Sequence, residues 1–138
     1  RELGKVPFLG KWMTQLGCIF VQRDDARASV VAMREAEAVL EHGSSLIVCP
    51  EGTRSRSDEM NEFKAGAVRI ATNAGVPVVP VAIDGTWRVL ECSNWKLQKA
   101  PVRMVVLPKI ETATLSREEQ KNLHKVLEEQ IRAAKDAR

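Results

Sequence analysis

The sequence has no secretory signal and no uninterrupted apolar run long enough to cross a bilayer, so no membrane-spanning helix is expected within its 138 residues. It has no C-x-x-C pair and no zinc-type spacing. Its three cysteines, Cys18, Cys49 and Cys92, stand far apart, which argues against a disulfide framework. Two of them fall inside apolar runs, and buried free thiols in a reducing compartment are expected. No P-loop and no G-x-G-x-x-G is present, so the commonest marks of nucleotide binding are missing. Charge of one sign is scarce too: 21 Lys and Arg against 18 Asp and Glu give a net +3, spread along the chain. That is a mild bias toward anionic partners such as phosphorylated metabolites or acidic lipid head groups, and it does not call for nucleic acid. No metal site is expected.

What is present is an ordinary globular mixture, 44% apolar and 28% charged, in a length that suits one domain with a sizeable core. The first residue is Arg1, directly ahead of a well-patterned segment, which suggests a sequence that starts partway through a longer protein. In VPFLGKWMTQLG, Phe8, Leu9, Trp12, Met13 and Leu16 share one face of a short helix, with Pro7 in its first turn and Gly17 at its end. CIFVQ, residues 18–22, reads as a strand. Asp24 or Asp25 then caps a helix whose Ala32, Met33, Ala36, Val39 and Leu40 share a face and which Gly43 closes. SSLIVC, 44–49, is a second strand, followed by a polar loop over 50–62 and a helix in KAGAVRIATNAG that ends at Gly75.

VPVVPVAI, 76–83, is a third strand, and a polar link with Trp87 and Trp95 leads to a fourth, VRMVVLPKI, over 102–110. Ser116 and Glu119 form a capping box for a terminal helix with Leu123, Val126, Leu127, Ile131 and Ala134 along one side. Strands that are continuous apolar runs, alternating with helices, predict an α/β fold with a mainly parallel sheet flanked by helices.

In such sheets ligands collect beyond the carboxyl ends of the strands. Arg23 follows the first strand, and a loop carrying Glu51, Gly52, Arg54 and Arg56 follows the second. Parallel neighbours would turn these cations to one site, and Lys64 at the next helix start adds another donor. Such a set fits a phosphate with hydroxyls, the cations on the phosphate, Glu51 on a hydroxyl or an arginine, and Gly52 admitting close backbone approach. A solvated mixed-charge loop is the competing reading.

Other candidates are weaker. Glu129 lies at i+5 from His124, too far round a helix for a dyad, so His124 is read as a surface histidine. His42 is read as a cation at a helix C-terminus, Cys49 as a strand-end thiol without a histidine partner, and Met13 and Met33 as core.

With these residues in hand, the sequence resembles the glycerolipid acyltransferases. Gly17-Cys18-Ile19-Phe20-Val21-Gln22-Arg23 looks like that family's second block, Pro50-Glu51-Gly52-Thr53-Arg54-Ser55 like its third and Val79-Pro80-Val81-Ala82 like its fourth, while Phe63-Lys64-Ala65-Gly66 lies where the family has F-K-x-G. The resemblance implies a glycerol-3-phosphate acyltransferase-like fold and places Arg23, Glu51, Gly52, Thr53, Arg54, Ser55 and Lys64 among the substrate-binding positions. Pro80 would shape the pocket near the acyl donor.

The implied reaction moves a fatty acyl group from acyl-CoA or acyl carrier protein to the sn-2 hydroxyl of 1-acyl-glycerol-3-phosphate, without metal or cofactor. The implied setting is a membrane surface on the cytoplasmic face, in a bacterium the inner membrane, and the amphipathic segment from Phe8 to Met13, with Lys5 and Lys11, suits either that interface or a core. Cys49 stands where the family has an aromatic residue. The family's first block, N-H-x-x-x-x-D, with the histidine that serves as general base, is absent, so residues 1–138 read as an acyltransferase domain without its catalytic residues, expected upstream. The alternatives are a non-catalytic α/β module for a phosphorylated ligand and an acyltransferase for another lysophospholipid.

Overall fold

The computed structural model describes residues 8–21, 25–53, 55, 57–93 and 96–137. Among the expectations above, those on Lys5, Pro7, Arg23, Asp24, Arg54, Arg56 and Trp95 lie outside the described residues. The chain forms two compact units, Arg1–Leu46 and Ile47–Arg138.

In the first unit, helix α1 spans Leu9–Gln15 and helix α2 spans Ala26–Glu41. Asp25 caps α2, its carboxylate accepting the N–H groups of Arg27 at 2.9 Å and Ala28 at 3.0 Å, as a short acidic residue ahead of an apolar stripe should. Ala32 and Ala36, one turn apart, are the buried centre of that stripe, with Met33, Val39 and Leu40 half-buried beside them. The apolar face of α1 is in solvent: Trp12 is 69% and Leu16 77% exposed, and Met13 is half-buried.

The second unit carries helix α3, Ala65–Ala74, strand β1, Val81–Asp84, the short helix α4, Trp87–Leu90, strand β2, Arg103–Val106, and helix α5, Arg117–Asp136. Its core is Phe63, Val68, Leu123 and Leu127, with Met60, Val78, Ile110, Leu115 and Ile131 packed around them. Burying each such side chain contributes about 1.5–3 kcal/mol, and together they fix α5 against α3 and β1. The Ser116 and Glu119 capping box forms as read. Val126, expected on the buried side of α5, is 41% exposed. At the end of α3 Gly75 turns the chain at φ 63°. Beside it the fully buried Thr112 donates its hydroxyl to the Val76 carbonyl at 2.7 Å, so no buried donor is left unpaired there.

The chain is α/β, but the expected mainly parallel sheet is corrected by the pairing. Among the described residues the sheet has two strands, β1 and β2, antiparallel, with Val81 opposite Val106 and Asp84 opposite Arg103. An antiparallel bridge between Val78 and Ile110 extends the third and fourth expected strands. Residues 18–21 and 44–49 run without a strand ladder. A ladder needs a neighbour with free N–H and C=O groups, and among the described residues none forms a ladder with these runs: Ile47 is 95% exposed. The same exposure corrects the cysteines, since Cys18, Cys49 and Cys92 are free thiols as read but exposed, not buried. In β1 the burial alternates, Ala82 inward and Val81 and Ile83 outward, the mark of a sheet covered on one face.

Candidate functional site

The polar loop between residues 50 and 64 is a closed structure with both ends in hand. The Lys64 amide donates to the Pro50 carbonyl at 2.8 Å, so the residue after the strand-like run and the residue that opens α3 are bonded neighbours. Inside, Gly52 takes the left-handed conformation at φ 66°, and its α-carbon faces the Lys64 stem, where an added Cβ would stand 3.7 Å from the Lys64 Cγ. The left-handed turn, more than the space, is what calls for glycine there.

Glu51 is the loop's internal anchor. One carboxylate oxygen, Oε2, accepts the Ser55 hydroxyl at 2.6 Å, the Asn61 amide at 2.9 Å and the Asn61 side-chain amide at 2.8 Å. A carboxylate has about four lone-pair directions, and Oε1 makes no hydrogen bond among the described residues. Glu51 therefore ties the two halves of the loop across ten residues of sequence and keeps one oxygen available. Asn61 carries no sequence mark of this role, since its partner is set by the loop's path.

Lys64 is exposed, and its ammonium has no partner among the described residues. It also occupies the N-cap position of α3 without a side-chain cap bond; the Ala67 N–H is taken by the Lys64 carbonyl at 3.0 Å, and the Ala65 and Gly66 N–H groups are left to water or a ligand. At Gly66, in the same turn, an added Cβ would meet nothing within 4 Å. An ammonium, helix-start amides and a bare glycine surface, all on one loop, suit the oxygens of a phosphate. Thr53 is exposed and Ser55 is committed to Glu51. Pro80 is buried ahead of β1, its carbonyl accepting the Leu107 N–H at 2.9 Å. The structure thus gathers Glu51, Gly52, Ser55 and Lys64, while Arg23 and Arg54 are outside the described residues.

A residue that the sequence did not single out closes the loop's far end. Glu128 of α5 accepts the Phe63 amide through Oε2 at 2.9 Å and pairs with Arg132 through Oε1 at 3.0 Å. The Phe63 N–H, and after it Arg132, hold the Glu128 carboxyl below the usual carboxylate range, against the opposing effect of desolvation. His124, four residues before Glu128 on α5, adds the smallest downward contribution. A carboxyl with a depressed folded-state pKa contributes stability that is full above its unfolded value, about 4.3, and is lost as pH falls through the lower folded value. The gap in melting temperature between wild type and Glu128→Gln is therefore expected to be full at neutral pH and to narrow below about pH 4. A gap that widens on acidification would contradict the assignment.

The family model described as Acyltransferase matches residues 1–84, more than half of the chain. The chain belongs to the acyltransferase family. The matched span holds the four blocks at 17–23, 50–55, 63–66 and 79–82, and so the whole closed loop. Among curated relatives, a probable 1-acyl-sn-glycerol-3-phosphate acyltransferase of Mycoplasma pneumoniae is 39% identical over 95 residues, 69% of this chain and 35% of the relative. A 1-acyl-sn-glycerol-3-phosphate acyltransferase of Borreliella burgdorferi is 30% identical over 131 residues, 95% of this chain and 52% of the relative.

The crystal structure of PlsC, the 1-acyl-sn-glycerophosphate acyltransferase of Thermotoga maritima, superimposes with a TM-score of 0.82 at 32% identity, over 99% of this chain and 55% of that one. The acyltransferase chain thus spans between about a third and a half of the length of these curated relatives. Its α/β fold is that of the Thermotoga protein, and α5 lies beyond the span that the family model matches.

Proposed function

We propose that the protein to which this chain belongs moves a fatty acyl group from acyl-CoA or acyl carrier protein to the sn-2 hydroxyl of 1-acyl-glycerol-3-phosphate, giving phosphatidate, and that residues 1–138 form the acyltransferase domain that holds the acceptor's head group. The observation that carries this reading is the closed loop in which Lys64, the open start of α3 and the Gly52 turn share one surface, inside a span that matches the acyltransferase family. The names of the relatives support this choice of acceptor.

In this reading Lys64, with Arg23 and Arg54 by resemblance, neutralises the acceptor phosphate, and Glu51 through its open oxygen takes a glycerol hydroxyl or orients an arginine. Thr53 borders the head group, Ser55 keeps Glu51 in place, and Pro80 lies toward the donor. The acceptor hydroxyl oxygen attacks the thioester carbonyl, its proton passes to a base, the carbon–sulfur bond breaks and the sulfur leaves as a thiol. The exchange is a direct acyl transfer and draws on no metal or cofactor.

The base is the histidine that the family's N-H-x-x-x-x-D block implies, which these residues do not contain. The lipid substrates place the reaction at a membrane surface, where the exposed Trp12 and Leu16 of the α1 segment, beside Lys11, suit an interface. No helix among the described residues is long and apolar enough to cross the membrane.

The test is Lys64→Ala in the complete enzyme. Loss of one charged hydrogen-bond partner, typically about 1.5–3 kcal/mol, predicts an acceptor KM raised about tenfold or more, with the donor KM unchanged. An unchanged acceptor KM, or equal effects on both substrates, would overturn the phosphate assignment.

A further inference from the structure

The acceptor loop is gripped from outside at two points, and both grips come from one face of α5. Glu128 takes the Phe63 amide at 2.9 Å, directly before Lys64. Two turns on, Lys135 donates to the Asp58 backbone carbonyl and pairs with its side chain at 3.0 Å. The latter contact is an ion pair without hydrogen-bond alignment, so the backbone carbonyl is the point where Lys135 fixes the chain. Between the two grips, Asp58, Glu59 and Met60 face Arg132, Lys135 and Asp136 across a cavity of about 220 Å³.

The grips act on the stretch that sets the loop's shape. Asn61 lies between them and supplies two of the three hydrogen bonds to Glu51. A shift of Phe63 would carry the Lys64 backbone with it, and with it the bond to Pro50 that closes the loop. We propose that Glu128 is a positioning residue for acceptor binding: through the Phe63 amide it fixes where the Lys64 ammonium and the start of α3 stand, without touching substrate.

Packing alone does not account for the contact. Leu123 and Leu127 already bury the apolar face of α5 against Phe63 and Val68, whereas Glu128 adds a directional bond to one backbone amide. Its two oxygens are divided, one for Phe63 and one for Arg132. The surface pair with Arg132 is weak by itself and uses the other oxygen, so the bond to the Phe63 amide does not depend on it. A head-group site needs its donors held to a fraction of an ångström, since small misplacements are costly in binding and rate.

The inference rests on the proposed phosphate role of the loop, and its test separates the two. In the complete enzyme Glu128→Ala is expected to raise the acceptor KM about fivefold to tenfold and to leave the donor KM and kcat within about twofold. Glu128→Gln keeps an oxygen acceptor at the same reach and is expected to restore the acceptor KM to within about twofold of wild type. Arg132→Ala removes only the partner charge and is expected to behave like wild type. If Glu128→Ala does not fold, Glu128→Asp, one methylene short of Phe63, takes its place with the same expectation.

An unchanged acceptor KM overturns the proposal, and so does an equal rise for donor and acceptor or a failure of Gln to restore binding. Failure of both the Ala and the Asp variant to fold also overturns it, by making Glu128 a folding residue. Lys64→Ala measured alongside distinguishes the sources of failure. If Lys64→Ala leaves the acceptor KM unchanged, the phosphate role of the loop falls. If Lys64→Ala weakens the acceptor and Glu128→Ala does not, only the positioning role falls.

Discussion

The 138-residue chain, incubated with 1-acyl-glycerol-3-phosphate and acyl-CoA, is expected to release no thiol above a no-protein blank. Acyl transfer to a hydroxyl needs a base within hydrogen-bond reach of the acceptor proton, and that base needs an orienting partner. The chain has two histidines. His42 follows α2 and its Nδ1 is engaged with the Ala38 carbonyl at 2.6 Å, a helix-end contact with no carboxylate bonded to the ring among the described residues. His124 stands on α5, and the carboxylate on its face, Glu128, is already committed to the Phe63 amide and Arg132. Neither has the arrangement of a general base. Substrate-dependent thiol release by these residues, lost in His124→Ala or Glu51→Ala, would show that the chemistry resides in them and would refute the role given to the N-H-x-x-x-x-D histidine.

The second large effect belongs to Glu51. In the complete enzyme Glu51→Ala removes the acceptor for Ser55, the Asn61 amide and the Asn61 side chain at once. Hydrogen bonds to a charged group typically contribute about 1.5–3 kcal/mol each. Asn61 is exposed, and water takes up part of what is lost, so about 3 kcal/mol in all is expected, roughly a hundredfold in acceptor affinity where the loop carries that affinity. Glu51→Gln keeps one oxygen for Asn61 and is expected to fall between the two.

Two roles are separable by measuring melting temperature and kcat/KM on one preparation. If the carboxylate serves only the loop's internal bonds and the loop has no part in binding, the melting temperature drops while kcat/KM per folded molecule holds. The closed loop predicts that both fall together. A destabilised variant with wild-type kcat/KM would remove Glu51 from the acceptor site.

Much of this architecture can be read along the chain where the deciding contacts are local. Asp25, Gly75 and the Ser116 and Glu119 box end their helices because caps act within three or four residues. Leu123 and Leu127 show themselves by spacing. The sheet is less legible, since an apolar run such as 44–49 has the composition of a strand, but strand pairing depends on a neighbour that composition does not name. Ile47 is exposed for that reason.

The loop divides in the same way. Glu51, Gly52 and Lys64 stand out through residue type and position, and the resemblance to the acyltransferases points to them again. Asn61, ten residues beyond Glu51, and Glu128, 65 residues beyond Phe63, do not. Their partners are chosen by the path of the loop and by how α5 docks. The pair of Glu128 with Arg132 is legible as an i,i+4 spacing, but nothing in that spacing indicates that the acid's other oxygen reaches a backbone amide.

The 2.8 Å bond from Lys64 to Pro50 also has a meaning for how such a site can diversify. A loop with joined stems is a cassette: what lies at its tip can be exchanged while the bases stay put. Closure entropy rises only with the logarithm of length, about 0.6 kcal/mol per doubling, so residues added near Thr53 or Ser57, both exposed, would cost the scaffold little. If the loop holds the acceptor as proposed, substitutions at the tip would change which polar head is accepted, while the stem bond, the Glu51 tie and the helix behind them keep the rest of the domain from registering the change.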